Sequence, residues 1–211
     1  MNVKGASPSR FSVTPQRGSV VVLGDSIALE TWGNYLLGFP TVFPTLQFRN
    51  LVQAAYGHLP TVYNAAVNGT TSADGLAAID ALLAGSTSPG INVVVLAFGT
   101  NDAGNGVSDA TFLSNMTSMI AKVVAAGKTP VVPKIMYASA DPWHTNIPAK
   151  NTVIANSIWG VLPGVVAGPD LWTLVSAHPE YLAGDGIHLT VPGCDFVITS
   201  WKDSLAWAYA Y

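Results

Sequence analysis

Charge is scarce in this 211-residue chain. Lys and Arg together number 9, Asp and Glu 12, and the net charge is −3. So small an imbalance, with no run of Lys or Arg, offers no footprint for nucleic acid and none for an anionic membrane surface. Cysteine is nearly absent. Cys194 stands alone, which excludes an intramolecular disulfide and a cysteine-rich zinc site. It follows Pro192 and Gly193 at the start of an apolar segment, where a thiol reads as buried and structural. No apolar run approaches the roughly 20 residues that span a bilayer, so no integral membrane segment is expected. Residues 1–17 lack the apolar stretch of a signal peptide. Their Ser and Pro content reads as a tail ahead of one domain over 18–211. Repeats and low-complexity blocks are also missing.

What is present is apolar. Hydrophobic residues make up 49% of the chain and charged residues 10%, which excludes a disordered polar chain and suits one sizeable core. Low charge with many Ser, Thr, Asn, Gly and Trp residues raises the expectation of a secreted protein acting on polymers. Asn68-Gly69-Thr70 and Asn115-Met116-Thr117 match the glycosylation pattern, a weak signal.

Strand-like runs alternate with helix-like segments. Val20–Leu23 is four apolar residues with no polar alternation, as in a strand buried on both faces. Ala28 to Tyr56 holds two helical pieces broken around Pro40 and Pro44. Strands are predicted over Thr61–Ala66, Ile91–Phe98, Thr129–Met136 and Val165–Ala167, with Pro133 marking a bulge or edge in the fourth run. Helices are predicted over Ser72–Ala84, Asp109–Ala126, Asn151–Leu162 and Phe196–Trp207. This alternation indicates βαβ units, hence a three-layer α/β/α sandwich around a five-stranded parallel sheet in flavodoxin-like, doubly wound order. In that order strands 1 and 3 flank the switch point, so the loops after Leu23 and Phe98 share one crevice.

Four polar clusters fall where such a fold places a site: Gly24-Asp25-Ser26, Asn68 to Ser72, Gly99-Thr100-Asn101-Asp102, and Asp185-Gly186-Ile187-His188. Ser26, just past a strand end, is either a helix cap or a nucleophile. A serine hydroxyl needs an adjacent base, and His is the natural one near neutrality. The imidazole in turn needs an acceptor that fixes its tautomer. Asp185, three residues before His188, can reach the near ring nitrogen while the far one faces Ser26. Acyl transfer also needs donors for the oxyanion. The N–H groups of Ser26 and Gly69 and the side-chain amide of Asn101 can supply three.

In this order the four clusters resemble the SGNH (GDSL-type) hydrolase superfamily, from Val20 to the final helix. The resemblance implies a nucleophile at Ser26, oxyanion donors at Ser26, Gly69 and Asn101, and the pair Asp185 and His188. It implies ester hydrolysis through an acyl-enzyme, without a metal or other cofactor. Ile27 stands where the motif's nickname has leucine, and the second block, with Gly69, is the least specific. Absence of a large inserted lid favours short acyl groups, acetyl on carbohydrate first, so the expected partner is a small-molecule or polysaccharide ester. Short-chain lipid esters, lysophospholipids and acyl thioesters are the runners-up, and a transferase would use the same groups. A non-catalytic carbohydrate-binding module and a flavodoxin-like cofactor binder are the rivals from other classes.

The remaining polar and aromatic residues get plainer readings. Asp25 and Asp102 are expected to brace loops, and His58 and His178 to face solvent or cap. Asp170, near the end of the fifth strand, is a rival acid for His188. Trp143, in the Pro-bounded loop after the fourth strand, can wall a substrate pocket or anchor the loop. Tyr137 and Trp32 are weaker pocket candidates, and Trp201 and Trp207 read as packing residues.

Overall fold

The computed structural model describes residues 19–32, 44–57, 59–84 and 91–209. The expected tail, the break around Pro40 and His58 lie outside the described residues. The five strands are β1 (Val20–Gly24), β2 (Val62–Asn64), β3 (Val93–Ala97), β4 (Thr129–Lys134) and β5 (Val166–Asp170), all parallel, in the order β2-β1-β3-β4-β5. That is the doubly wound order expected, with β1 and β3 paired at the switch point.

The apolar runs of β1 and β3 are buried on both faces because successive side chains serve opposite cores. Val20, Val22, Val93 and Val95 enter one cluster, while Val21, Leu23, Val94 and Leu96 enter the other. The first cluster is closed by α1 (Ser26–Trp32), α2 (Pro44–Tyr56) and two later helices, α7 (Leu171–Ser176) and α8 (Val191–Ser204). The second is closed by α3 (Ser72–Ala84), α5 (Asp109–Ala125) and α6 (Trp143–Val153). Two short helices complete the set, α4 (Thr100–Gly104) and α9 (Ala206–Tyr209). Among the described residues no helix is long and apolar enough to cross a membrane. The β4–β5 register shifts between Val132 and Lys134, where Pro133 has no N–H for the ladder.

Two helix starts differ most from expectation. The helix predicted from Asn151 begins at Trp143 and passes into a π-helical turn at Ile154–Ile158. Pro142 is its N-cap rather than a loop boundary, and Pro148 is tolerated inside it because Ile147, Lys150 and Asn151 are buried around it. The last helix begins at Val191, not Phe196. Thr190 caps it through the Gly193 N–H at 3.2 Å, and Pro192 fits the first turn, where its missing N–H is no loss.

Candidate active site

The turn after β1 is set by close approach. A Cβ on Gly24 would lie 2.5 Å from the Ala97 carbonyl oxygen and 2.7 Å from Ala28 Cβ, so only glycine lets β1 end flush against β3. Asp25 then caps α1, accepting the Ile27 N–H at 3.0 Å. It is buried, and burial pushes its carboxyl from the ordinary 3.8 to about 6 against hydrogen bonds from Thr100, Ile27 and Ala28. Ser26 opens α1 at the carboxyl edge of the sheet. Its N–H belongs to the first turn, where a helix provides no acceptor.

The loop after β2 is tied to this turn. The Gly24 carbonyl accepts from Val67 N–H at 2.9 Å and from Thr70 Oγ1 at 3.0 Å. Gly69 sits between them at φ 77°, a left-handed conformation that favours glycine. Thr71 and Asp74 form a capping pair at the start of α3, with Asp74 accepting the Thr71 N–H at 2.8 Å and hydroxyl at 2.7 Å. After β3, Gly99 turns the chain at φ 127°, and Asn101 Nδ2 donates to the Thr70 carbonyl at 3.0 Å. Asp102, fully buried, accepts Ser72 N–H at 2.9 Å and Ser72 Oγ at 2.5 Å. It therefore braces two loops and faces no imidazole. The loops carrying Asn101 and Gly69 are thus tied to the turn ahead of Ser26 by a shared hydrogen-bond frame through Gly24 and Thr70.

The segment before α8 braces itself. Leu182 bridges to Leu189, and Ala183 N–H donates to the His188 carbonyl at 2.7 Å. Gly186, at φ 71°, accepts Ser139 N–H at 2.8 Å, which ties the segment to the loop after β4. Asp185 Oδ1 accepts both Ile187 N–H and His188 N–H at 2.9 Å. Asp185 Oδ2 lies 2.6 Å from His188 Nδ1, and His188 Nε2 lies 3.0 Å from Ser26 Oγ. Burial raises the Asp185 carboxyl, but the imidazole and the two amides outweigh it and leave it below the usual carboxylate range. An ionised Asp185 assigns the Nδ1–H tautomer, leaving Nε2 free to accept the serine proton. A hydroxyl, an imidazole and a carboxylate thus form one hydrogen-bonded chain.

Other candidates land elsewhere. Asp170 pairs with Lys134 at 2.6 Å and caps α7 through Thr173 N–H, not with His188. His178 caps a short turn and meets Glu180 at 3.0 Å. Cys194 is half-buried, and burial followed by the charges of Glu30 and Asp195 pushes its thiol to about 12. Trp32 corrects an expectation: it is wholly buried, 4.7 Å from Phe48 and 5.2 Å from Trp201, because α1 turns that face into the core. Trp143 packs against Gly104, filling the space a Cβ there would take, which is the geometry of an anchor between α6 and α4. Tyr137 meets Trp172 at 5.1 Å and His144 at 5.5 Å beyond the ends of β4 and β5. Thr70 and Trp172 were not singled out in the sequence. Thr70 adjoins the flagged Gly69, but its carbonyl and hydroxyl contacts arise only from tertiary placement. Among the described residues no group of three or more His, Cys, Asp or Glu is placed to hold a metal ion.

Comparison with known proteins bears on this arrangement. Among solved structures, TesA superposes with a TM-score of 0.65 at 24% identity, over 89% of this chain and 97% of that one. The lipase/acylhydrolase from Enterococcus faecalis gives 0.65 at 24%, over 89% and 95%. Axe2, an acetylxylan esterase from Geobacillus stearothermophilus, gives 0.70 at 16%, over 90% and 96%. These likenesses establish the fold. Among curated proteins no sequence match reaches significance. A sequence profile, however, matches residues 22–195, most of the chain and all four polar clusters, and by that match the chain belongs to the GDSL-like lipase/acylhydrolase family.

Proposed function

We propose that the protein is a serine esterase that hydrolyses carboxylic esters through an acyl-enzyme. One observation carries the reading: the unbroken line from Asp185 through His188 to Ser26 Oγ, at 2.6 and 3.0 Å. Ser26 Oγ attacks the ester carbonyl as its proton passes to His188 Nε2. Negative charge develops on the carbonyl oxygen, where the N–H groups of Ser26 and Gly69 and the amide of Asn101 receive it. Asn101 donates one hydrogen to Thr70, which orients the amide and leaves its second hydrogen for the oxyanion. The C–O bond to the alcohol then breaks, and Nε2 returns the proton to the departing oxygen. Water gives its proton to Nε2, attacks the acyl-serine and releases the acid, and the proton goes back to Ser26 Oγ. Asp185 stays ionised throughout and holds the ring.

Short acyl groups are the favoured substrates, with acetyl on a carbohydrate first. The compact connections around the crevice support this, as does the likeness to a protein described as an acetylxylan esterase. Tyr137, beyond β4 with Trp172 and His144, offers aromatic surface suited to a sugar ring. Longer acyl chains are the alternative, favoured by the family's lipase members.

The test is hydrolysis across p-nitrophenyl esters of increasing chain length and acetylated sugars, with fluorophosphonate labelling alongside. Turnover is expected to fall as the acyl chain lengthens, and Ser26→Ala to lose about 10⁴-fold or more in kcat together with all labelling. Undiminished turnover by Ser26→Ala would sink the mechanism. Absence of labelling in the native chain would favour a binding module instead.

A further inference from the structure

Glu30 carries a carboxylate that the scheme above leaves idle. It lies four residues after Ser26 on α1, one turn along, so the two side chains share a helix face. That face looks toward the segment ahead of α8. Ser26 Oγ lies 3.0 Å from His188 Nε2, and His188 and the Leu189 N–H act electrostatically on the Glu30 carboxylate. The residue is half-buried, and Oε2 is shut off from solvent with no hydrogen-bond partner among the described residues. Such an oxygen is costly to a fold, so stability alone gives no reason for a carboxylate here.

The charges around it suggest the reason. Asp185 faces Glu30 from the same segment as His188, and Asp25 faces it from the β1–α1 turn. The Cys194 thiol faces it from α8. Both aspartates repel it. Among the described groups that act on it, His188 is the one able to carry positive charge. Burial lifts the Glu30 carboxyl above its ordinary range, while His188 and the Leu189 N–H favour its ionised form.

We infer that Glu30 is a positioning residue that acts on His188 from α1, opposing the positive charge the ring acquires as Ser26 attacks, while Asp185 holds Nδ1. The inference rests on the serine-esterase reading. In a partly dry site such an interaction is stronger than on the surface. It matters most when the imidazolium forms, so it belongs to kcat rather than KM.

The test is Glu30→Gln, which keeps the shape and removes the charge, measured beside the native chain and Glu30→Ala. For Glu30→Gln, kcat is expected to fall about three- to tenfold with KM within about twofold. Fluorophosphonate labelling should slow in parallel. A structural role predicts the opposite pattern, with Glu30→Gln matching the native kcat and Glu30→Ala losing thermal stability. That pattern, or a loss confined to KM, overturns the inference. If the native chain neither turns over esters nor labels, the esterase reading itself fails, a result distinct from an unchanged Glu30→Gln.

Discussion

Two segments meet at Ser26 Oγ, and they are held in place by different physics. The turn Gly24-Asp25-Ser26 is buried. Its position comes from close packing against Ala97 and Ala28 and from a carboxyl enclosed at the head of α1. The segment from Leu182 to Leu189 is only partly buried, with Gly184 and Asp185 exposed. Asp185 has 46% of its side chain in solvent, and its order comes from a local web of hydrogen bonds. The two carboxyls next to the chemistry accordingly move in opposite directions, Asp25 upward through burial and Asp185 downward through its donors. The contrast suggests a division of labour. A nucleophile is best fixed by a rigid sheet edge, whereas a base that must change charge is best placed where water and amides can follow. Substitutions in the first segment should therefore show in stability, with or without activity, and those in the second mainly in activity.

Asp185→Asn gives the largest expected effect. The new side chain can still accept the Ile187 and His188 amides through Oδ1, so the segment keeps its shape. Its NH₂ group, however, faces His188 Nδ1 and favours the tautomer with the proton on Nε2, which can no longer take the serine proton. kcat is expected to fall about 10²- to 10⁴-fold with a thermal midpoint close to native. Steady-state kinetics and a melting curve on the same sample check both halves. A large loss of stability would erase the distinction between the segments.

How much of this was legible in the sequence follows the same divide. The strands β1 and β3 were readable because four consecutive apolar residues have only one comfortable place, a sheet covered on both faces. The polar clusters were readable because glycine, acid and serine at a strand end are local signals. Trp32 was misplaced because a tryptophan next to a candidate nucleophile looks the same whether its helix faces a pocket or Phe48 and Trp201. The start of α6 was hidden by Pro142 and Pro148, whose local preference is outweighed by burial of Ile147 and Asn151. Asn151 also holds the backbone of Ile135 through both its oxygen and its nitrogen, a contact between distant elements that no periodicity encodes. Glu30 was missed for a related reason: spacing from Ser26 shows a shared face, but not that the segment carrying His188 returns to it.

Asp25→Asn tests the buried side of the comparison. The folded-state value, about 6, lies above the ordinary 3.8. The native state therefore holds a proton that the unfolded chain releases, and stability falls as pH rises through the window from about 4 to 6. A separation of roughly two pH units corresponds to about 3 kcal/mol. Asn keeps an acceptor for the Ile27 and Ala28 amides and carries no charge, so this fall is expected to disappear. Denaturant unfolding at pH 4, 5, 6 and 8 measures it. If native and variant lose stability in parallel across that window, Asp25 is not the group responsible.

Gly24→Ala sharpens the comparison with the smallest change, a single methyl group. The added Cβ would meet Ala97 oxygen at 2.5 Å and Ala28 Cβ at 2.7 Å. One is backbone of β3 and the other is α1, so neither can swing aside as a long side chain would. The expected cost is about 1–3 kcal/mol in stability, a drop of several degrees in a melting curve. The backbone shift that relieves the contact must also carry Ser26, one residue past Asp25, away from His188 Nε2, now 3.0 Å from its Oγ. In the native chain only the second segment couples to activity without stability. Gly24→Ala should instead lose both together, and adding Asp25→Asn should restore stability at pH 8 without restoring kcat, because one change relieves a buried charge while the other displaces Ser26.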